Sequence, residues 1–141
     1  MKTLRENDSI HNPVSLSERY PHLKHVVDIS HDLDPPYDPK HLGSITYHKM
    51  STVSKIPPTA EEVSVFISIA DDILGADSKA KGVIGVHCHY GFNRTGFFIC
   101  SYLIERLHYS SKEALAAFQA GRPPGIKHAH FINTLVTRYT A

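Results

Sequence analysis

Cys88 and Arg94 stand six positions apart in the run His87-Cys88-His89-Tyr90-Gly91-Phe92-Asn93-Arg94-Thr95-Gly96. A cysteine becomes a nucleophile as its thiolate, and a neighbouring arginine or helix N-terminus holds its pKa below the ordinary value of about 8.5. The guanidinium of Arg94 is a planar fork that can grip two oxygens of one phosphoryl group. Thr95 can hydrogen-bond the Cys88 sulfur and help it depart in a second step, although a threonine is also an ordinary residue at a helix start. Cys88, Arg94 and Thr95 are therefore the candidate catalytic residues. The backbone and side chains of His89, Tyr90, Gly91, Phe92, Asn93 and Arg94 are the candidate phosphate cradle. A free cysteine at a strand end is most often a buried core residue, but that reading leaves Gly91, Asn93, Arg94 and Gly96 without a purpose.

The elements around this run suit the chemistry. Gly82 to Val86 is a short apolar, β-branched stretch, the loop carries Gly91 at its middle, and the pattern from Thr95 to Leu107 is helical. A loop between a strand end and a helix start gathers unpaired N–H groups at the positive end of the helix dipole and so attracts anions. Within the cradle, Asn93 suits a loop-shaping role through its amide, and Tyr90 and Phe92 suit either the rim or the packing beneath it. Cys100, twelve residues beyond Cys88, reads as a core residue three turns along the helix, with a redox partner as the other reading.

The chain has 141 residues, of which 41% are apolar and 21% charged, enough for one domain that buries its own core. Lys and Arg number 15 against 14 Asp and Glu, so any polyanion site must be local rather than a whole-molecule field. No apolar run approaches the length of a membrane span, and the first twelve residues carry no signal-peptide core. With only two cysteines, one needed as a thiolate, the expectation is a protein of a reducing compartment, nuclear or cytoplasmic, with no membrane partner. The 11 histidines include no His-Glu-x-x-His spacing and no Cys-x2-Cys partner, so no metal site is expected.

Along the chain, residues 1–14 hold turn formers without periodicity and are expected as a flexible arm before a single catalytic domain over 15–141. Residues 15–20 suggest a short helix ended by Pro21, and 25–29 a buried strand. Prolines at 35, 36 and 39 among Asp32, Asp34 and Asp38 favour a structured loop. Residues 44–50 alternate as a second strand. Thr59 and Glu62 form a capping box for a helix whose Val63, Phe66, Ile67, Ala70, Ile73 and Leu74 share one face, with Gly75 as a stop. Residues 76–81 read as a charged loop leading to the central strand. The helix after Cys88 is apolar nearly all round, as for a helix buried mid-domain. Ser110 and Glu113 repeat the capping-box spacing ahead of a helix ended by Gly121, and a last helix from about His128 carries Phe131, Ile132, Leu135, Val136 and Tyr139 on one face. The expected fold is α/β, with a central, mostly parallel sheet flanked by helices.

The run from Ile84 to Cys100, with Phe92-Asn93 ahead of Arg94, resembles the RNA 5′-triphosphatase domain of metazoan mRNA capping enzymes, within the cysteine-dependent phosphatases of the protein-tyrosine and dual-specificity superfamily. Arg122-Pro123-Pro124-Gly125-Ile126, Val26-Val27-Asp28-Ile29 and Tyr37-Asp38-Pro39 are similar to the same family. The resemblance spans roughly residues 20–140 and is weakest over 50–58. It implies a dual-specificity-phosphatase-like fold with a Cys-x5-Arg phosphate-binding loop, a phosphocysteine intermediate, no cofactor, and a supporting role for His87 in ordering the loop and tuning Cys88. Lys49, Arg122 and Lys127 are candidates for holding further phosphates, although single basic residues are more often simply solvated. The nucleotidyl-transferring domain that usually follows in capping enzymes is absent here, which tells against a role in capping itself, and residues 1–14 also read as a leftover of a longer chain.

The implied partner is a phosphorylated substrate, either an RNA 5′ end or a phosphoprotein. Protein-directed members of the superfamily usually carry a general-acid Asp in the loop after the second strand, whereas residues 51–58 contain no Asp or Glu. A tyrosine leaving group has a pKa of about 10, while a phosphate leaving from an anhydride has one near about 6 and can depart without a proton. The missing acid favours 5′-terminal phosphates of RNA, with a protein tyrosine or dual-specificity phosphatase as the alternative, unless Asp32, Asp34, Asp38 or Glu61 reaches the site from elsewhere. A pseudophosphatase that only binds is a further class, but it would lack the Cys or the Arg, and both are present.

Overall fold

The computed structural model describes residues 1–31, 35–53, 55–76 and 84–140. Three strands, β1 (His25–Asp28), β2 (Thr46–Lys49) and β3 (Ile84–His87), pair in parallel in the order β2-β1-β3. Parallel neighbours require crossovers, and the β2 to β3 crossover carries the long helix α2 (Ala60–Ala76); a short helix α1 (Pro13–Arg19) precedes the sheet. After β3 come α3 (Asn93–Leu107), α4 (Ser111–Gly121) and α5 (Ala129–Arg138).

Successive residues of β1 face opposite sides of the sheet and seed two cores. Val27 packs with Phe66 and Ile67 of α2, Phe97 and Phe98 of α3, and Phe131 and Leu135 of α5. Val26 packs on the other side with Leu4, Leu16, Tyr37, Leu42 and Ile45. The stretch before Cys88, expected as the central strand, lies at the side of β1, which is the middle strand of the three described. Burial explains the difference: β1 is buried from Val26 to Asp28, whereas Ile84 and Gly85 of β3 are half-buried. Gly82 and Val83 lie outside the described residues, as do residues 77–81 of the expected charged loop.

The capping boxes form as the sequence spacing predicts. Glu62 N–H donates to Thr59 Oγ1 at 3.1 Å while Thr59 N–H donates to Glu62 Oε1 at 2.9 Å, and Ser110 and Glu113 repeat the exchange at 3.1 Å each way. Val63, Phe66, Ile67, Ala70 and Ile73 are buried as expected. Four expectations need correction. The segment 1–14 is no loose arm, because Leu4 is fully buried and Thr3 N–H donates to the His89 carbonyl at 3.0 Å. Helix α1 starts two residues before Ser15, since Asn12 caps it and Ser15 closes the box from the third helical position. Within the proline-rich loop Asp38 caps a single 3₁₀ turn, Pro39–Leu42. Helix α3 is buried over its first half only, and Leu107 is exposed, as is Val136 of α5.

Candidate active site

Strand β3 ends at His87, and α3 begins at Asn93 after five intervening residues, so Cys88 lies at the floor of the turn between them. No side chain caps α3: its N-cap is Phe92, which has no acceptor to offer. The first N–H groups of α3 are therefore left for a ligand. Cys88 is buried, and its sulfur accepts from Gly91 N–H at 3.3 Å and from the Thr95 hydroxyl at 3.1 Å. Burial pushes the Cys88 thiol up, but the Thr95 hydroxyl and N–H, the Gly91 N–H and the charge of Arg94 outweigh it and hold the pKa below the ordinary thiol value. Gly91 reaches the sulfur with φ +80°, a backbone conformation that costs other residues energy. Arg94 is buried, and its Nη1 has no hydrogen-bond partner among the described residues. A buried guanidinium donor with no protein acceptor is costly unless an anion completes it, so it marks where phosphoryl oxygens can sit.

A buried polar layer supports the loop from below. His87 is fully buried; its Nδ1–H donates to the Cys88 carbonyl at 3.1 Å, which leaves Nε2 to accept from Tyr37 O–H at 2.7 Å. Burial lowers the His87 pKa despite the nearby Asp28 carboxylate, so the ring is neutral at pH 7 and its tautomer is set by these two bonds. Asp28 accepts from Ser30 N–H and O–H at 2.9 and 2.6 Å and from Tyr47 O–H at 2.5 Å. Burial raises its pKa, but the His87 ring, Ser30 and Tyr47 prevail and the net shift is downward. His87 thus sits where a loop-ordering residue is needed.

The three basic residues singled out as further phosphate contacts are engaged elsewhere. Lys49 is turned inward, with Nζ 2.8 Å from the Ser30 carbonyl and 3.3 Å from Asp28 Oδ2, where it offsets the buried carboxylate. Arg122 donates through Nη2 to the Tyr90 carbonyl at 2.9 Å and stacks over the Phe92 ring at 4.3 Å, so it braces the loop from outside. Lys127 places its ammonium 4.0 Å from the centre of the same ring. Asn93 reaches out of its own turn: its Oδ1 accepts from the N–H groups of Lys127 and His128 at 2.8 and 3.0 Å, tying the start of α3 to the segment before α5. Phe92 serves as a platform beside the cavity, and Tyr90, exposed and edge-on to His89, forms the rim. Cys100 is buried with its S–H toward the Ala114 carbonyl at 3.5 Å and its thiol pushed up to about 12, the setting of a core residue rather than of a ready thiolate.

A cavity of about 520 Å³ opens over Cys88 and Arg94. Arg5, His31, Lys55 and His128 also line it, and sequence reasoning missed all four. Arg5 falls in the segment expected to be loose, and nothing local in the sequence connects the others to Cys88. Among the described residues no Asp or Glu lines this cavity. Asp38 is occupied as a cap of the 3₁₀ turn and Glu61 lies in the first turn of α2, while Asp32 and Asp34 lie outside the described residues. His31 donates from Nδ1 to the Thr52 carbonyl at 3.2 Å, which leaves its Nε2 free of protein partners among the described residues.

The family model for the dual specificity phosphatase catalytic domain matches residues 10–140. The chain belongs to that family. What it carries is the catalytic domain of a cysteine-based phosphatase. It is similar to the mRNA-capping enzyme of Danio rerio, at 44% identity over 82 residues, covering 58% of this chain and 13% of that protein. It is also similar to the probable tyrosine-protein phosphatase pir-2 of Caenorhabditis elegans, at 35% identity over 123 residues, covering 85% of this chain and 34% of that protein. The chain thus spans a minor part of the length of these relatives. Among solved structures the active form of Tk-PTP aligns with a TM-score of 0.69 at 18% identity, covering 89% of this chain and 86% of that one, a likeness of fold. No helix of the described residues is long and apolar enough to cross a membrane.

Proposed function

We propose that this phosphatase removes terminal phosphoryl groups from the 5′ end of RNA through a phosphocysteine at Cys88. The Cys88 sulfur attacks the terminal phosphorus, an S–P bond forms, and the bond from phosphorus to the bridging oxygen breaks, leaving its electron pair on the shortened 5′ end. Arg94 and the loop N–H groups hold the non-bridging oxygens throughout. Water then attacks the phosphorus, the S–P bond breaks, and Thr95 donates to the departing thiolate. His87, locked by Tyr37 and the Cys88 carbonyl, keeps the loop in register.

The observation that carries this reading is the cavity wall: Arg5, His31, Lys55 and His128 surround the approach to Cys88, and among the described residues no carboxylate stands there. Such a wall attracts a polyanionic end and, among the described residues, supplies no carboxylic acid to protonate a phenolate. An anhydride needs no such proton. Similarity to a capping enzyme supports the reading; the similarity to pir-2, which covers more of the chain, supports a phosphoprotein substrate as the second reading. A nuclear or cytoplasmic location goes with this reading. The test compares kcat/KM, without added metal, for 5′-triphosphate RNA and phosphotyrosine peptide. At least a tenfold preference for RNA is expected, and the reverse order returns the phosphoprotein reading.

A further inference from the structure

We propose that Arg5 and Lys55 form a second anion subsite, which holds the phosphate next to the one that Cys88 attacks and so makes the cavity select polyphosphate chains over phosphate monoesters. The proposal rests on the RNA 5′-end reading for its natural ligand but on this cavity alone for its chemistry. Most cations around the site already have partners: Lys49 has Asp28 and Ser30, Arg122 has the loop carbonyls and Phe92, Lys127 has Phe92, and Lys2 lies 3.7 Å from Asp8. Arg5 and Lys55 line the cavity, and neither side chain has an ion pair or hydrogen bond among the described residues.

Both residues are placed by anchored backbone. Ahead of Arg5, Leu4 is sunk in the core and Thr3 N–H is tied to the carbonyl of His89 in the catalytic loop; Arg5 N–H itself donates to the His11 carbonyl at 3.2 Å. Lys55 adopts φ +69°, a strained conformation for a lysine, and its carbonyl accepts from His130 Nε2–H at 3.1 Å. The buried, unpartnered Nη1 of Arg94 marks the place of the reacting phosphoryl group. A cavity of about 520 Å³ is as large as pockets that hold whole small ligands, so it has room beyond one phosphoryl group. Cations on the wall of that remaining space match a second and third phosphate.

The test uses an aryl phosphate as reporter, with inorganic tripolyphosphate and orthophosphate as competitive inhibitors. Wild type is expected to bind tripolyphosphate at least tenfold more tightly than orthophosphate. Charge-assisted hydrogen bonds at such a site carry roughly a tenfold preference, so Arg5→Ala combined with Lys55→Ala should bring the ratio to within about twofold of one. Both side chains are exposed, and the single variants serve as folded backups. Arg5→Lys should retain most of the preference, as should Lys112→Ala on α4, away from the cavity. A wild-type ratio near one, or a ratio that survives the double substitution, overturns the subsite, as does loss of affinity confined to acidic phosphotyrosine peptides. Triphosphate RNA left intact by a wild type that still prefers tripolyphosphate refutes the RNA reading and supports the subsite. RNA turnover with an unchanged ratio in the double variant does the opposite.

Discussion

Replacing Thr95 by valine removes one hydroxyl from the Cys88 sulfur while keeping the shape of a fully buried side chain. The hydroxyl lies 3.1 Å from the sulfur and is the largest influence that lowers the Cys88 pKa against burial. A hydrogen bond to a charged group contributes about 1.5–3 kcal/mol, so at acid pH the thiolate population should fall roughly ten- to hundredfold, 1.36 kcal/mol being about a factor of ten. The more basic thiolate is also more nucleophilic, with a Brønsted slope of about 0.4–0.5, which recovers nearly half of that loss on a logarithmic scale. Alkylation by iodoacetamide should therefore be about three- to tenfold slower than in wild type at the acid end. At alkaline pH, where both thiols are ionised, the order should reverse by a similar factor. Cys100, buried with its thiol pushed up to about 12, stays silent across the profile. Crossing profiles, with the wild-type profile restored in Thr95→Ser, are the expected result. Superimposed profiles, or a variant slower by one factor at every pH, would refute the reasoning.

Arg94→Lys should lower kcat/KM at least a hundredfold on any phosphate substrate, because an ammonium cannot supply the paired donors of a buried guanidinium. A loss of less than tenfold would show that the fork is dispensable. Gly96→Ala should destabilise the domain: a Cβ there would lie 2.6 Å from Ile126 Cγ1 and 2.6 Å from the Phe118 ring. Overpacking costs about 1–3 kcal/mol, against about 1 kcal/mol regained in helix propensity. A net loss of up to about 2 kcal/mol in urea unfolding is expected, and a gain in stability would mean that the contact between α3 and α4 is loose enough to admit a methyl group.

Local chemistry made much of this protein legible in its sequence. A capping box needs two side chains three residues apart, so Thr59 with Glu62 and Ser110 with Glu113 announced their helices. The ten-residue run through Cys88 contains its own loop and helix start, so the strand-loop-helix arrangement around the cysteine was legible. Long-range partnership was not legible. Lys49 reads as a surface cation until β1 and β2 pair and place Asp28 opposite it. Arg122 could be assigned to the loop only once α4 lay against α3. Arg5 sat in a stretch without periodicity, and only the burial of Leu4 and the bond from Thr3 to His89 make that stretch a wall of the cavity. The middle position of β1 likewise depends on strand order, which apolar content alone does not encode.

The central claim is tested most directly by mixing the protein with 5′-triphosphate RNA labelled at the γ-phosphate and quenching within the first turnover. The account predicts label bound covalently to the protein, carried on the peptide that contains Cys88, lost as inorganic phosphate on a chase, and absent from Cys88→Ser together with turnover. Release of labelled phosphate at the wild-type rate with no protein-bound label at any quench time, or from Cys88→Ser, would contradict it.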